Sequence, residues 1–395
     1  MMDTTLTTIG ECINCNPSVK LDKGGIYPVI DIDKISAGRK FVTSKEYIVF
    51  SNQSGAKFED GDILMARITP CLENGKIAKA QIDGKGIGST ELFVFRGIEG
   101  ITDNDFVYYL IKQQHIRDLS ANSMTGASGR QRADIKFIKR IKLSLPSLPI
   151  QQKIASILSV YDSLIENNVK RIRLLEQMAE NLYKEWFVRF RFPGHEHTEF
   201  VDGLPKGWRF DNLFHVANVS YGYAFKSELF CDDKTLNAVV RIRDIQDNRT
   251  DTYTKEQCDD KYLIEENAII IGMDGIFHMC LWNGKRAYLN QRVVKITSKN
   301  ANLCNYLLLM DIRPQIKFWE QVIAGTTVAH LGDKHLRKIK VLIPEETILV
   351  KANEHIELIM KEKNKLFKEI SILARQRDLL LPRLMSGKLE VKAEI

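Results

Sequence analysis

At 395 residues the chain is longer than one hydrophobic core usually serves, and 44% hydrophobic with 27% charged residues can bury substantial cores, so two or three domains are expected. Lys and Arg number 57 against 50 Asp and Glu, a formal charge of +7 that permits a polyanionic partner without requiring one. Seven scattered cysteines, no secretory pattern in Met1–Asn14, and no apolar run approaching the roughly 18 residues of a membrane span argue against a disulfide scaffold or a membrane protein and for a reducing cytoplasm.

In chain order the first feature is Cys12-x-x-Cys15. A four-ligand zinc site needs a second close pair, and the other cysteines stand alone, so no metal is expected. The run Ile63–Ala66 predicts a buried strand, and Asn74, Gly75 and Lys76 predict the turn into another. Gly84, Gly86 and Gly88 lack dinucleotide-fingerprint spacing, and no G-x-x-x-x-G-K-[ST] phosphate loop occurs. From Gly126 a loop of small residues runs through Arg130, Gln131 and Arg132 to Asp134, and Ile138–Pro146 ends the segment as a strand.

From Ile150 to about Phe190 the chain has neither proline nor glycine. Leu158, Ile165, Ile172, Ala179 and Trp186 recur every seven residues, and Tyr161, Asn168, Leu175 and Leu182 form a second line offset by three. That is the seam of a coiled coil. About 40 residues rising ~1.5 Å each make a helix of roughly 60 Å, longer than a domain of this size needs for its own core. Pro193, Gly194, Pro205 and Gly207 then mark a linker and an entry turn, in which His195 and His197 are read as solvated.

The remainder repeats the first part. Ala268–Ile271 matches Ile63–Ala66, and Asn283, Gly284 and Lys285 match Asn74, Gly75 and Lys76. Gly325 leads to Asp333 as Gly126 leads to Asp134, and Leu336–Pro344 matches Ile138–Pro146. The prolines lie 198 residues apart and the glycines 199, so one deletion separates the copies. After Pro344 a second heptad pattern reaches about Leu381. Ile359, Leu366, Leu373 and Leu380 hold its spacing, beside a companion line of Ile356, Lys363, Ile370, Arg377 and Leu384. Lys363 and Arg377 are expected to snorkel at the seam's edge rather than to meet a buried acid. If the helices pair, the second must run back antiparallel. The predicted architecture is α+β: two similar mixed α/β domains joined by two long antiparallel coiled-coil helices, with an approximate twofold. The divisions are 1–148 (first domain), 149–191 (first spacer helix), 192–344 (second domain) and 345–395 (second spacer helix and tail).

Two equivalent loops suit nucleic acid. Arg130, Gln131 and Arg132 carry the long donors that pair with guanine and adenine edges in a major groove, and Lys136 beside them would reach phosphate. The second copy offers Thr326, Thr327, His330 and Lys334 at the same place. Weaker candidates are Arg67, Thr69 and Lys76 in copy one, with Lys285, Asn290 and Gln291 in copy two. A solvated loop and strand edge is the competing reading. Catalysis is not expected from this chain: the nearest string to an amino-methyltransferase tetrad, Asn16-Pro17-Ser18-Val19, fails to match it.

Four stretches together resemble the Type I restriction-modification specificity subunits: Ala66–Lys76, Leu145–Ile154, Leu204–Trp208 and Leu379–Gly387. The resemblance spans essentially the whole chain. It implies two target-recognition domains, each reading half of a split double-stranded DNA sequence, with the paired helices setting the unread gap. It also implies assembly with two adenine methyltransferase (modification) subunits and with ATP-dependent restriction subunits, to which S-adenosylmethionine, ATP and magnesium would belong. Helix two departs from the pattern, since Pro344 is not followed by the pair seen at Gln151 and Gln152. Rival readings are a free-standing methyltransferase or restriction enzyme, a protein-binding coiled-coil scaffold, and a DNA-binding regulator without catalytic partners.

Overall fold

A computed structural model describes residues 4–126, 131–323 and 329–391. The chain divides into two units, Met1–Lys170 with Leu366–Ile395, and Arg171–Lys365. No helix among the described residues is long and apolar enough to cross a membrane.

In the first unit the run Ile63–Ala66 is buried at every position, as a central strand with both faces covered must be. It lies in a five-stranded sheet ordered Ile13–Cys15, Leu92–Gly97, Ile63–Ala66, Ile77–Ala80, Phe41–Val42. A four-stranded sheet is ordered Tyr47–Val49, Ile26–Ile30, Lys85–Gly88, Ala56–Glu59. Thr4–Thr8 pairs with Lys142–Pro146 and so brings the start of the unit to the entry of the first long helix. Helices Asn104–Lys112 and Gln114–Asn122 cover the first sheet, and their core includes Phe93, Phe106, Leu158 and Leu384.

The second unit repeats the central pairings, but among the described residues no strand answers to Phe41–Val42, and Phe230–Cys231 is an added edge strand. Arg209–Asn212 pairs with Lys340–Ile343, and one sheet is ordered Ala217–Tyr221, Val293–Ser298, Ile269–Gly272, Met279–Leu281. In the other sheet Asn237–Val240 runs parallel to Ala287–Leu289, as Ile26–Ile30 does to Lys85–Gly88. The register corrects two details of the predicted repeat. Bridges Ile68–Arg132 and Asp274–His330 set the offset at 198, so Asp134, which caps Ile135–Lys139, corresponds to Gly332 and not to Asp333. Asn283 and Gly284 follow the strand Met279–Leu281, whereas Asn74 and Gly75 precede Ile77–Ala80. The two Asn-Gly-Lys strings are therefore not equivalent. Gly75 serves a left-handed turn (φ 69°), while Gly284 makes room for Trp282, whose ring a Cβ there would meet at 2.4 Å.

The long helices span Leu148–Tyr183 and Glu346–Met385, and the first closes in a π turn over Lys184–Val188. Leu158, Ile165, Ile172, Ala179 and Leu366 are buried, while Leu175, Leu182, Ile359, Leu373 and Leu380 are half-buried. The companion line proves the deeper one, with Ile356, Lys363, Arg377 and Leu384 all buried. Arg377 does not snorkel. It is 1% exposed and donates to Asp162, also 1% exposed, at 2.5 Å. Burial alone would lower the guanidinium's pKa, but Asp162 and then Asp378 outweigh it and hold it above its ordinary value. Tyr109 also donates to Asp162, and Arg377 to the Gly38 carbonyl, so both charges are hydrogen-bonded as burial demands. With Asn168 donating to Glu369, residue numbers rise on one helix as they fall on the other, so within the first unit the helices are antiparallel. In the second unit Lys363 donates to Glu176 at 3.2 Å.

The departure at the start of helix two has a physical account. Gln151 is fully buried and accepts from the Asp103 N–H while donating to the Ile101 and Pro146 carbonyls. Its equivalent is the apolar Leu349. The matching N–H in the second unit, that of Cys304, is satisfied by Asn353, one helical turn further on. The requirement recurs and the residue that meets it moves.

Candidate nucleic-acid interface

In each unit the loop before the short helix crosses the end of the central strand and makes an antiparallel bridge there. Ala133 donates its N–H to the Arg67 carbonyl, and Arg67 donates its own to the Glu91 carbonyl. In the second unit Leu331 donates to Met273 and Met273 to Arg292. Three positions thus meet at one edge: the strand end, the residue before the neighbouring strand, and the loop.

At the first edge these are Arg67, Glu91 and Arg132. Arg132 donates to both Glu91 carboxylate oxygens at 2.6–2.9 Å, and Arg67 Nε lies 3.8 Å from the same carboxylate with its guanidinium 5.1 Å from the Phe93 ring. The Arg132 hydrogen bonds hold Glu91 below the usual carboxylate range, with Arg67 adding to the effect. Arg67 Nε and Thr69 Oγ1 are both buried without a hydrogen-bond partner. Donors left open at a protein edge invite a polar ligand. Thr69 is fixed by donating its N–H to the Gln131 carbonyl. A cavity of about 400 Å³ between Arg67, Phe93, Arg132 and Ile135 adjoins these groups.

At the second edge the loop and neighbouring-strand positions recur as His330 and Arg292, but the position of Arg67 is held by Met273. The acid, Asp274, stands one residue further on, at the position of Ile68, where it meets His330 Nδ1 at 2.6 Å and Arg292 Nε at 3.4 Å. Arg292 and His330 are about half exposed, and Arg292 occupies the position of Glu91. Sequence reasoning missed Glu91, Asp274 and Arg292, because they meet the loops only through sheet register. Counting back from the matched strands Leu92–Gly97 and Val293–Ser298 was the one signal that could have found them.

The remaining candidates divide. Lys136 and Lys334 are exposed on the short helices following each loop, and Gln291 is exposed beside Arg292. Lys76 is turned away, donating to the Ile32 carbonyl at 3.0 Å. Lys285 sits against Tyr253, 4.1 Å from its ring, and so belongs to the second sheet rather than the edge. Asn290 acts through its backbone, which packs against Gly222 and donates to the Val240 carbonyl. Arg130, Thr326 and Thr327 lie outside the described residues. Cys12 and Cys15 are buried, with thiols pushed up to about 11 by burial and each turned onto a backbone carbonyl.

The family described as Type I restriction modification DNA specificity domain matches residues 5–177 and 205–368. Among curated proteins, the Type I restriction enzyme MjaIX specificity subunit of Methanocaldococcus jannaschii is 26% identical over 80% of this chain and 77% of its own length. The MjaVIII specificity subunit of the same organism is 24% identical over 95% and 89%. Among solved structures, the Type I restriction-modification system S subunit from M. genitalium shares the fold with a TM-score of 0.55 at 16% identity, over 97% of this chain and 96% of that one. The chain belongs to the Type I restriction-modification specificity subunits and carries the family's DNA specificity domain twice.

Proposed function

We propose that this chain reads a two-part double-stranded DNA sequence, one part at each edge, and has no catalysis of its own. One observation carries the reading: two edges built on the same strand register, each presenting a basic side chain on the loop, Arg132 or His330, held by an acid at its base. Arginine reads guanine and makes phosphate contacts, and a sheet–loop edge can deliver it to a groove. DNA contacts are assigned to Arg67, Thr69, Gln131, Arg132 and Lys136 in the first copy, and to Gln291, Arg292, His330 and Lys334 in the second. The long helices would hold the two readers at fixed separation, with residues 1–148 and 192–344 as the readers and 149–191 and 345–395 as the spacers. Two like surfaces on one chain suit two like partners, here two modification subunits, with restriction subunits joining through that complex. The reading makes the protein cytoplasmic, where the DNA lies.

Exchanging residues 200–344 for those of a relative tests it. The expected result, read by mapping methylated adenines in cells carrying the partner subunits, is a change in one half of the recognised sequence only. A change in both halves sinks the modular reading. Inserting seven residues within 150–190 should lengthen the gap or abolish binding while leaving the half-sites alone, and an unchanged gap counts against the spacer role.

A further inference from the structure

The helix Asn104–Lys112 stops at Gln113, where the backbone turns extended (ψ 137°), and Gln114–Asn122 begins at once. The break opens a cavity of about 420 Å³ lined by Lys112, Gln114, Arg117, Arg377, Asp378 and Leu381, with His115 and Pro382 also on its wall. It shares no residue with the reading edge. Arg377 stands between two acids, Asp162 and Asp378. Lys112 and Arg117 have no carboxylate partner among the described residues. Lys112 Nζ donates to Tyr108 Oη at 3.2 Å, Arg117 donates to the Glu73 carbonyl and to Gln114, and Arg117 Nε is buried with no partner at all. Gly75 makes room for this guanidinium, since a Cβ there would lie 2.7 Å from Arg117 Nη1.

We propose that this cavity binds a phosphomonoester, its phosphate held by Lys112, Arg117 Nε and the first backbone N–H groups of Gln114–Asn122, its organic body lying against Leu381 and Pro382. The three cations here, Arg377, Lys112 and Arg117, outnumber Asp162 and Asp378 by one, which favours an anion, and a helix N-terminus adds open donors that favour negative charge. The volume falls within the range of small-molecule sites, roughly 300–1,000 Å³, and exceeds what a bare phosphate fills. The second unit supplies a control. There the helix Asn305–Ile323 runs unbroken, and the residue matching Lys112, Arg313, is exposed. A feature confined to one copy is not required by what the two copies share.

Burial, with Arg377 adding to it, pushes Lys112 down to about 8, against the opposing fields of Asp162 and Asp378 and with Arg117 and Tyr108 alongside. A bound dianion raises this value, so binding takes up a proton near and above pH 8 and weakens as pH rises further.

Calorimetry of the full chain with phenyl phosphate, in two buffers of different ionisation enthalpy at about pH 8 (above the usual histidine range), tests the site. Expected are one saturable site, proton uptake, and a loss of about tenfold or more in Lys112→Met and in Arg117→Gln, with Arg313→Met unchanged. Benzoate should bind more weakly and inorganic phosphate should compete. Three results overturn the proposal: no saturable heat up to about 10 mM phenyl phosphate, equal binding by Lys112→Met and Arg117→Gln, or equal affinity for benzoate.

Discussion

The two copies share a strand register and differ in where charge sits on it. At the loop edge the acid is Glu91, just before the neighbouring strand, in one copy and Asp274, at the position of Ile68, in the other. Beside the second sheet, the position held by Lys34, which donates to the Val29 carbonyl and pairs with Glu46, is occupied in the second copy by Asp244, whose burial pushes its carboxyl up to about 6. Between the long helices, the first unit buries Arg377 and Asp162 completely, whereas Lys363 in the second meets a Glu176 that is 49% exposed. Backbone pairing depends on strand direction and register, which tolerate wide changes in side chains. Charge placement depends on each local dielectric and drifts between copies, provided every buried charge keeps a partner.

The helix comparison predicts the largest effect. Arg377→Met leaves Asp162 buried without its counter-ion and should cost about 3–5 kcal/mol in urea unfolding, while Lys363→Met should cost about 1 kcal/mol or less. Adding Asp162→Leu to Arg377→Met should recover part of the loss. Equal costs for the two single variants would erase the distinction between the pairs.

Asp244 comes next. Its folded value lies near 6 against an ordinary 3.8, so the folded protein keeps a proton that the unfolded chain releases between these values. Stability at this site is therefore fullest below about pH 4, falls as pH rises through about 6, and stays at the lower level above. Asp244→Asn, which can still accept from the Arg241 N–H, should stabilise by about 1–3 kcal/mol at pH 7 and by nothing near pH 4. A flat pH dependence of the difference between wild type and Asp244→Asn would remove the buried acid from the comparison.

The smallest effects lie at the edges. Glu91→Gln releases Arg132 and Arg67 from their carboxylate and should steepen the salt dependence of DNA binding by about one unit of slope, raise non-specific affinity, and loosen choice in one half of the target. Asp274→Asn should do the same to the other half only. If both variants affect the same half, the two edges do not read separately.

Much of this was legible in the chain because it is periodic or repeated. Heptad spacing marks Leu158, Ile165 and Ile172 as a buried face, since 3.6 residues per turn returns every third or fourth side chain to one side. The apolar runs at Ile63–Ala66 and Ile269–Gly272 are central strands for an equally local reason. Arg377 was misjudged because a cation in a heptad line looks like a seam defect until its acid is known. Asp162 stands one residue from the predicted companion position, Tyr161, and two residues at neighbouring positions point about 100° apart on a helix. Lys285 was misjudged because a matching Asn-Gly-Lys string does not prove a matching place in the sheet.

The sequence by itself determined the duplication, the two long helices and the short apolar strands, since these follow from patterns that a residue shares with its near neighbours along the chain. Tertiary structure alone decided which acid meets which basic side chain: Glu91 with Arg132, Asp274 with His330, Asp162 with Arg377. Those pairs join residues 41, 56 and 215 positions apart, and Coulomb and hydrogen-bond energies depend on separation in space, which strand register and helix rotation set and local pattern does not record.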